Sequence, residues 1–152
     1  MVVIGVGNEF RRDDGAGPAV VASLRGRVPP GVELLLADGE PTRLIEAWTG
    51  ASLAVVVDAV LADPPRPGRV QRFVLDQPIG GPVRTVSSHG FGLDDAVRLA
   101  LALDRMPGRL VVHAIEAADL SQGPGLTSLV AAAVDGVARA VLADIRDAGP
   151  PA

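Results

Sequence analysis

Val2-Val3-Ile4-Gly5-Val6-Gly7-Asn8 is a fully apolar run closed by a Gly-Asn turn, and Ala16, Ala19, Val20, Ser23 and Leu24 follow it at helical spacing. A short run without polar alternation reads as a strand buried on both faces; Pro18 is tolerable in the first turn of the helix behind it. The same succession recurs along the chain. After Pro29-Pro30-Gly31, residues 32–37 read as a second strand, and Leu44, Ile45 and Trp48 form a short helix face. Residues 53–57 are a third buried strand ending at Asp58, followed by a proline-rich turn over residues 63–68. Val70, Arg72 and Val74 alternate with Gln71, Phe73 and Leu75, which predicts a strand nearer an edge. A helix carrying Leu93, Ala96, Val97, Ala100 and Leu101 leads to a fifth strand over residues 110–115. The last helix keeps Leu126, Leu129, Val130, Ala133, Val134, Val137, Val141 and Ile145 on one stripe for about five turns.

Strands alternating with helices imply an α/β domain of three layers, α/β/α. Its five-stranded, twisted sheet is mostly parallel, joined by right-handed crossovers and covered by helices on both faces. The chain has 152 residues, which suits one core: residues 1–147 are expected to form a single domain and residues 148–152 a flexible tail. The pattern leaves the strand order open.

Composition excludes several classes of function. Every basic residue is Arg, the formal net charge is −4, and no basic run exceeds Arg11-Arg12, so nucleic acid is not an expected partner. The chain has no cysteine, which removes disulfides, thiolate metal sites and cysteine nucleophiles together. No apolar stretch approaches the ~20 residues needed to cross a bilayer, and Met1 leads straight into a strand without a charged leader. These features give a cytoplasmic expectation with no membrane partner. No hydrophobic helix face is left over, so a monomer is expected.

Ligands of such sheets bind beyond the carboxyl ends of the strands, where the chain order reverses. The candidates there are polar: Asn8, Glu9, Asp13 and Asp14 after the first strand, Asp38 after the second and Asp58 after the third. A dinucleotide reading of Gly5-Val6-Gly7 fails. The third glycine would fall at Phe10, and adjacent carboxylates would repel a pyrophosphate at the helix start. For Asp13 and Asp14 the structural alternative is a helix cap and a charge at the helix's positive end. Asp58 reads either as a cap on the following loop or as a ligand in the crevice. His89, in Ser88-His89-Gly90, stands where a helix is expected to open, whereas His113, flanked by apolar residues in the fifth strand, reads as a packed core residue. Asp14, Asp58 and His89 make a two-carboxylate, one-imidazole set that suits a borderline divalent ion such as Ni²⁺ or Zn²⁺.

Gly5-x-Gly7-Asn8-x-x-x-x-Asp13-Asp14-Gly15-x-Gly17 resembles the N-terminal signature of the hydrogenase maturation proteases. Val55-Val56-Val57-Asp58-Ala59-Val60 resembles that family's second ligand segment, Ser88-His89-Gly90 its histidine segment, and Ile115-Glu116 with Gly125-Leu126-Thr127 its closing pattern. The resemblance spans nearly the whole chain in the right order. It implies an endopeptidase that removes the C-terminal extension of a nickel–iron hydrogenase large-subunit precursor after nickel insertion. In that reading Asp14, Asp58 and His89 are both the catalytic residues and the ligands of nickel carried by the substrate, supported by Asn8 and Asp38, and the site can stand empty at rest. Two departures concern the loops. Family members often have Gly-Thr after the acid matching Asp38, where this chain has Gly39-Glu40-Pro41-Thr42, and a proline often follows the position of Glu116, where this chain has Ala117.

Two other functions compete. Peptidyl-tRNA hydrolases also open with Gly-x-Gly-Asn, but they would need a histidine soon after the asparagine and a basic surface; here the first histidine is His89 and the charge is negative. A non-catalytic module binding nickel or the large subunit would keep the ligands without the cut. Neither a His-Glu-x-x-His helix nor a Gly-x-Ser-x-Gly elbow is present.

Overall fold

A computed structural model describes residues 1–76 and 93–151. In chain order the elements are β1 (Val2–Val6), a 3-10 turn (Arg12–Gly15), α1 (Ala16–Leu24), β2 (Glu33–Ala37), α2 (Pro41–Trp48), β3 (Ala54–Val60), β4 (Val70–Asp76), α3 (Leu93–Ala102), β5 (Arg109–Glu116) and α4 (Ser128–Asp147). The five strands form one sheet in the order β2-β1-β3-β5-β4. All neighbours run parallel except β4, which pairs antiparallel with β5 at the edge. The expected architecture is therefore present, with β4 as the edge strand its alternation predicts.

Each central strand feeds two cores because successive side chains point to opposite faces. Val3, Val55, Val57, Val111 and Ile115 pack against α1 and α4, while Val2, Ile4, Ala54, Val56, Leu110 and Val112 pack against α2 and α3. Trp48, the largest fully buried side chain, fills the second core, and its indole N–H donates to the Arg105 carbonyl at 3.1 Å. A buried indole without such a partner would be costly. No described helix is long and apolar enough to cross a membrane.

Two glycines set the height of α1 above the sheet. A Cβ on Gly17 would lie 2.5 Å from both the Val6 and Val57 carbonyl oxygens, and one on Gly5 would lie 2.6 Å from the Gly17 carbonyl. The helix thus begins almost in contact with the carboxyl end of β1 and the middle of β3. One boundary differs from the sequence reading: β3 does not stop before Asp58 but continues through it to Val60, because Asp58, Ala59 and Val60 pair with Ala114, Ile115 and Glu116 of β5.

Candidate active site

From β1 the chain crosses to β2 on one side, then returns past β1 to β3 on the other, so the topological switch lies between β1 and β3. A cleft of about 710 Å³ opens there, lined by Gly7, Arg11, Asp14, Asp38 and Asp58, and also by Glu40, Leu61, Asp95 and Leu120. Three of the sequence candidates, Asp14, Asp38 and Asp58, therefore meet in one cavity. The remaining ligand candidate, His89, lies outside the described residues, as does the helix opening expected at Ser88-His89-Gly90; α3 is described from Leu93 onward.

Asp14 is held by the loop that carries it. Its Oδ2 accepts the Asn8 N–H at 2.8 Å, and the Arg11 guanidinium stands 4.0 Å away. Asn8 folds its own side chain back, Oδ1 accepting the Phe10 N–H at 2.9 Å, so its backbone rather than its amide serves Asp14. Gly7, at φ 134°, leaves no room for a side chain, since a Cβ would lie 1.8 Å from the Asp14 carbonyl oxygen. Of the two arginines, Arg11 lines the cleft, while Arg12 pairs with Asp119 at 3.5 Å.

Asp13 behaves differently from its neighbour and from a helix cap. It is fully buried, and its carboxylate accepts the N–H groups of Ala118, Asp119 and Thr127 at 2.8, 3.0 and 2.7 Å as well as the Thr127 hydroxyl. Burial pushes its carboxyl up, but these four donors outweigh burial and hold it below the usual carboxylate range. Asp13 thereby fastens the Asp14 loop to the loop between β5 and α4. Backbone bonds from Arg12 N–H to Gly123 O and from Gly123 N–H to Phe10 O complete the join.

Asp58 sits half-buried within β3. Burial pushes its carboxyl up to about 7; the Ala59 N–H opposes the rise and the Asp14 carboxylate adds to it. Near neutrality Asp58 is thus balanced between acid and carboxylate, facing a second negative group. A divalent cation placed between them would drive off the remaining proton and satisfy both. Among the described residues alone, no group of three or more His, Cys, Asp or Glu side chains is gathered closely enough to hold a metal.

Asp38 is a structural participant at the cleft wall: Oδ1 accepts the Glu40 N–H at 3.1 Å and Oδ2 pairs with Arg43 at 3.2 Å. The departure at Gly39-Glu40-Pro41-Thr42 also has a local purpose. The Glu40 carboxylate caps α2, accepting the N–H groups of Thr42 and Arg43 and the Thr42 hydroxyl, with Pro41 in the first turn. The Thr42 hydroxyl and N–H hold the Glu40 carboxyl below its ordinary value. Glu116 belongs near this site by register. It pairs with Val60, and strand alternation puts it on the Asp58 face; it is buried, and its Oε2 has no hydrogen-bond partner among the described residues. Glu40, Leu61, Asp95 and Leu120 were not candidates from sequence, because they reach the cleft through loop and helix positions that only the strand order fixes.

An open, doubly wound sheet with two carboxylates converging at its switch-point cleft defines an α/β enzyme domain. The profile of the hydrogenase maturation protease family, HycI, matches residues 18–144. That is most of the chain, so the chain belongs to the hydrogenase maturation protease family and its chemistry is that of a peptide-bond hydrolase. The match contains Asp58 and His89 and begins after Asp14. Among solved structures, the hydrogenase maturating endopeptidase HybD from E. coli superposes with a TM-score of 0.81 at 24% identity, over 99% of this chain and 96% of that one. The NiFe hydrogenase maturation protease HybD from Thermococcus kodakarensis gives 0.68 at 27% identity, over 92% and 95% of the two chains. The hydrogenase 2 maturation peptidase of a Thaumarchaeota archaeon gives 0.69 at 24% identity, over 95% and 96%. No curated protein matches the sequence significantly.

Proposed function

We propose that this chain is a nickel-dependent endopeptidase that acts in the cytoplasm as a monomer and removes the C-terminal extension of a nickel–iron hydrogenase large-subunit precursor. The observation that carries the reading is the half-buried Asp58 carboxyl, pushed up to about 7 beside Asp14 in an open cleft at the switch point. Such a pair has, among the described residues, no cation between its carboxyl groups, and divalent nickel arriving with the substrate would supply one. Family membership supports the endopeptidase activity and a hydrogenase large-subunit precursor as the partner, and the solved relatives bear names of the same activity.

Asp14 and Asp58 are the carboxylate ligands in this reading, and His89 is the imidazole ligand. Held by these three side chains, nickel carried by the precursor would polarise the scissile carbonyl or lower the pKa of a water that attacks it. Hydrolysis breaks the C–N bond, the acyl carbon takes the hydroxide and the amine leaves with a proton. Asn8 fixes the Asp14 carboxylate through its N–H, and Asp38 holds the wall through Arg43. Recognition of nickel restricts cleavage to precursor that has received its metal.

The test is cleavage of the precursor with and without nickel, read by intact mass. Loss of a C-terminal peptide from the nickel-loaded form alone, abolished by Asp14→Ala and by His89→Ala, is the expected result. Binding of the precursor without any change in mass would overturn the protease reading in favour of a non-catalytic module.

A further inference from the structure

We infer that the outer edge of β2, together with the small apolar cavity beside it, binds an extended stretch of the substrate polypeptide next to the bond that is cut. The inference rests on the endopeptidase reading and adds to it the surface that receives the chain.

The backbone of β2 shows which of its groups are free. Glu33 N–H donates to the Met1 carbonyl at 3.0 Å, and the Ala37 carbonyl accepts from Gly7 N–H at 2.9 Å. In a parallel pair the residues alternate, so Glu33, Leu35 and Ala37 direct their polar groups at β1, and Leu34 and Leu36 direct theirs away from the sheet. Among the described residues, β2 has no second strand beside it and no backbone partner is found for Leu34 or Leu36. Two N–H and two C=O groups therefore face outward in register.

Edges of this kind are ordinarily guarded by Lys, Pro, a bulge or a covering element. Here the strand is Glu-Leu-Leu-Leu-Ala, regular in its pairing throughout, and Leu36 is 57% exposed. Beside the same strand lies a cavity of about 320 Å³, lined by Ile4, Leu35, Leu36, Ala37 and Ala47 together with the exposed Arg43. This cavity and the 710 Å³ cleft share Gly7 and Asp38 as wall residues, so they adjoin there, and Asp14 lines the larger of the two. An extended peptide pairing with Leu34 and Leu36 would put one apolar side chain into the small cavity, the next against Leu36, and its continuation over Asp38 toward Asp14 and Asp58. Strand addition of this form draws affinity from main-chain hydrogen bonds and selectivity from alternate side-chain pockets. The occupant is thus an extended segment of the precursor with an apolar residue a few positions from the cut.

The experiment is steady-state cleavage of nickel-loaded precursor by the wild type, Leu36→Pro and Ala47→Phe, joined to hydrogen exchange on the wild type with a synthetic peptide spanning the cleavage site. Leu36→Pro removes one outward donor and leaves the β1 ladder intact; Ala47→Phe fills the cavity from α2. The expected result is a KM raised about tenfold in each variant with kcat little changed. In the wild type, the Leu34 and Leu36 amides should gain protection when the peptide is added. Should Leu36→Pro unfold, Ala47→Phe and the exchange data still decide. Unchanged KM in Ala47→Phe and no protection at Leu34 and Leu36, with the wild type cutting normally, overturns the subsite and leaves the protease reading standing. Protection of the same amides that grows with protein concentration and needs no peptide would mean that a second copy pairs there, and overturns it too. Failure of the wild type to cut any precursor strikes the function itself.

Discussion

Asp13 is a buried charge, and burying one without partners costs several kcal/mol or forces the group to neutralise. Its two oxygens escape that cost by collecting three backbone N–H groups and a hydroxyl from the far end of the chain. Asp13→Asn keeps the volume but turns an NH₂ toward donors, and should lower stability by about 2–4 kcal/mol at pH 7. Because the folded carboxyl is held below its ordinary value, its contribution is complete above that value and fades as pH falls through the lowered one. Urea unfolding of both proteins from pH 7 downward should show the gap closing below about pH 4; a gap constant with pH would mean that the carboxylate's charge is not what the site uses. The pair Asp13-Asp14 also marks a limit of reading a sequence locally. The carboxylates at strand ends were legible as site candidates, and Asp14 and Asp58 do share the cleft, but the partners of Asp13 lie more than 100 residues away and give no local signal.

At the scale of one element, α1 decides how closely the Asp14 loop approaches β3. A Gly-to-Ala change inside a helix ordinarily stabilises by about 1 kcal/mol. At Gly17 the added carbon would meet the Val6 and Val57 carbonyl oxygens at 2.5 Å, atoms fixed in two central strands that cannot swing aside. Overpacking of that kind costs about 1–3 kcal/mol and occasionally more, so it outweighs the helical gain. Gly17→Ala should melt several degrees below the wild type. Gly136→Ala, in the middle of α4 with only the Arg139 guanidinium within 4.0 Å of the new carbon, should melt slightly above it. Equal shifts in the two variants would show that helix propensity, not the close approach to the sheet, sets the outcome. The elements themselves were legible because apolar runs and 3.6-residue stripes are local properties. The end of β3 was not, since a carboxylate normally signals a strand's exit, and only pairing with β5 carries the strand through Asp58 to Val60.

The order of the strands is a property of the whole molecule, and the sequence pattern left it open. It matters most at β4, the antiparallel edge strand, whose carboxyl end leads toward the segment that contains His89. β4 is fastened from below by a charged network that spans three elements. Arg72 of β4 donates to Asp144 Oδ1 of α4 at 3.1 and 2.5 Å, and His113 Nε2 of β5 lies 2.7 Å from Asp144 Oδ2. Burial alone would raise the Asp144 carboxyl; the bonds from His113 and Arg72 outweigh it and hold it low. The core histidine expected from sequence is thus hydrogen-bonded, to a partner on the last helix. Asp144→Ala strips both neighbours of their acceptor at once; Arg72 is 44% exposed and can turn to solvent, but the buried His113 loses its partner, which costs about 1–3 kcal/mol. Replacing Arg72, His113 and Asp144 together by Met, Leu and Leu removes every charge with the gap refilled, and the same physics makes that change close to neutral. If so, the network's value lies in orienting β4 rather than in net stability. Hydrogen exchange separates the two. Asp144→Ala should lose protection along residues 70–75 and melt well below the wild type, whereas the triple variant should melt near it; a triple variant as unstable as Asp144→Ala would show that the network itself, and not the unpaired remainder, holds the edge strand in place.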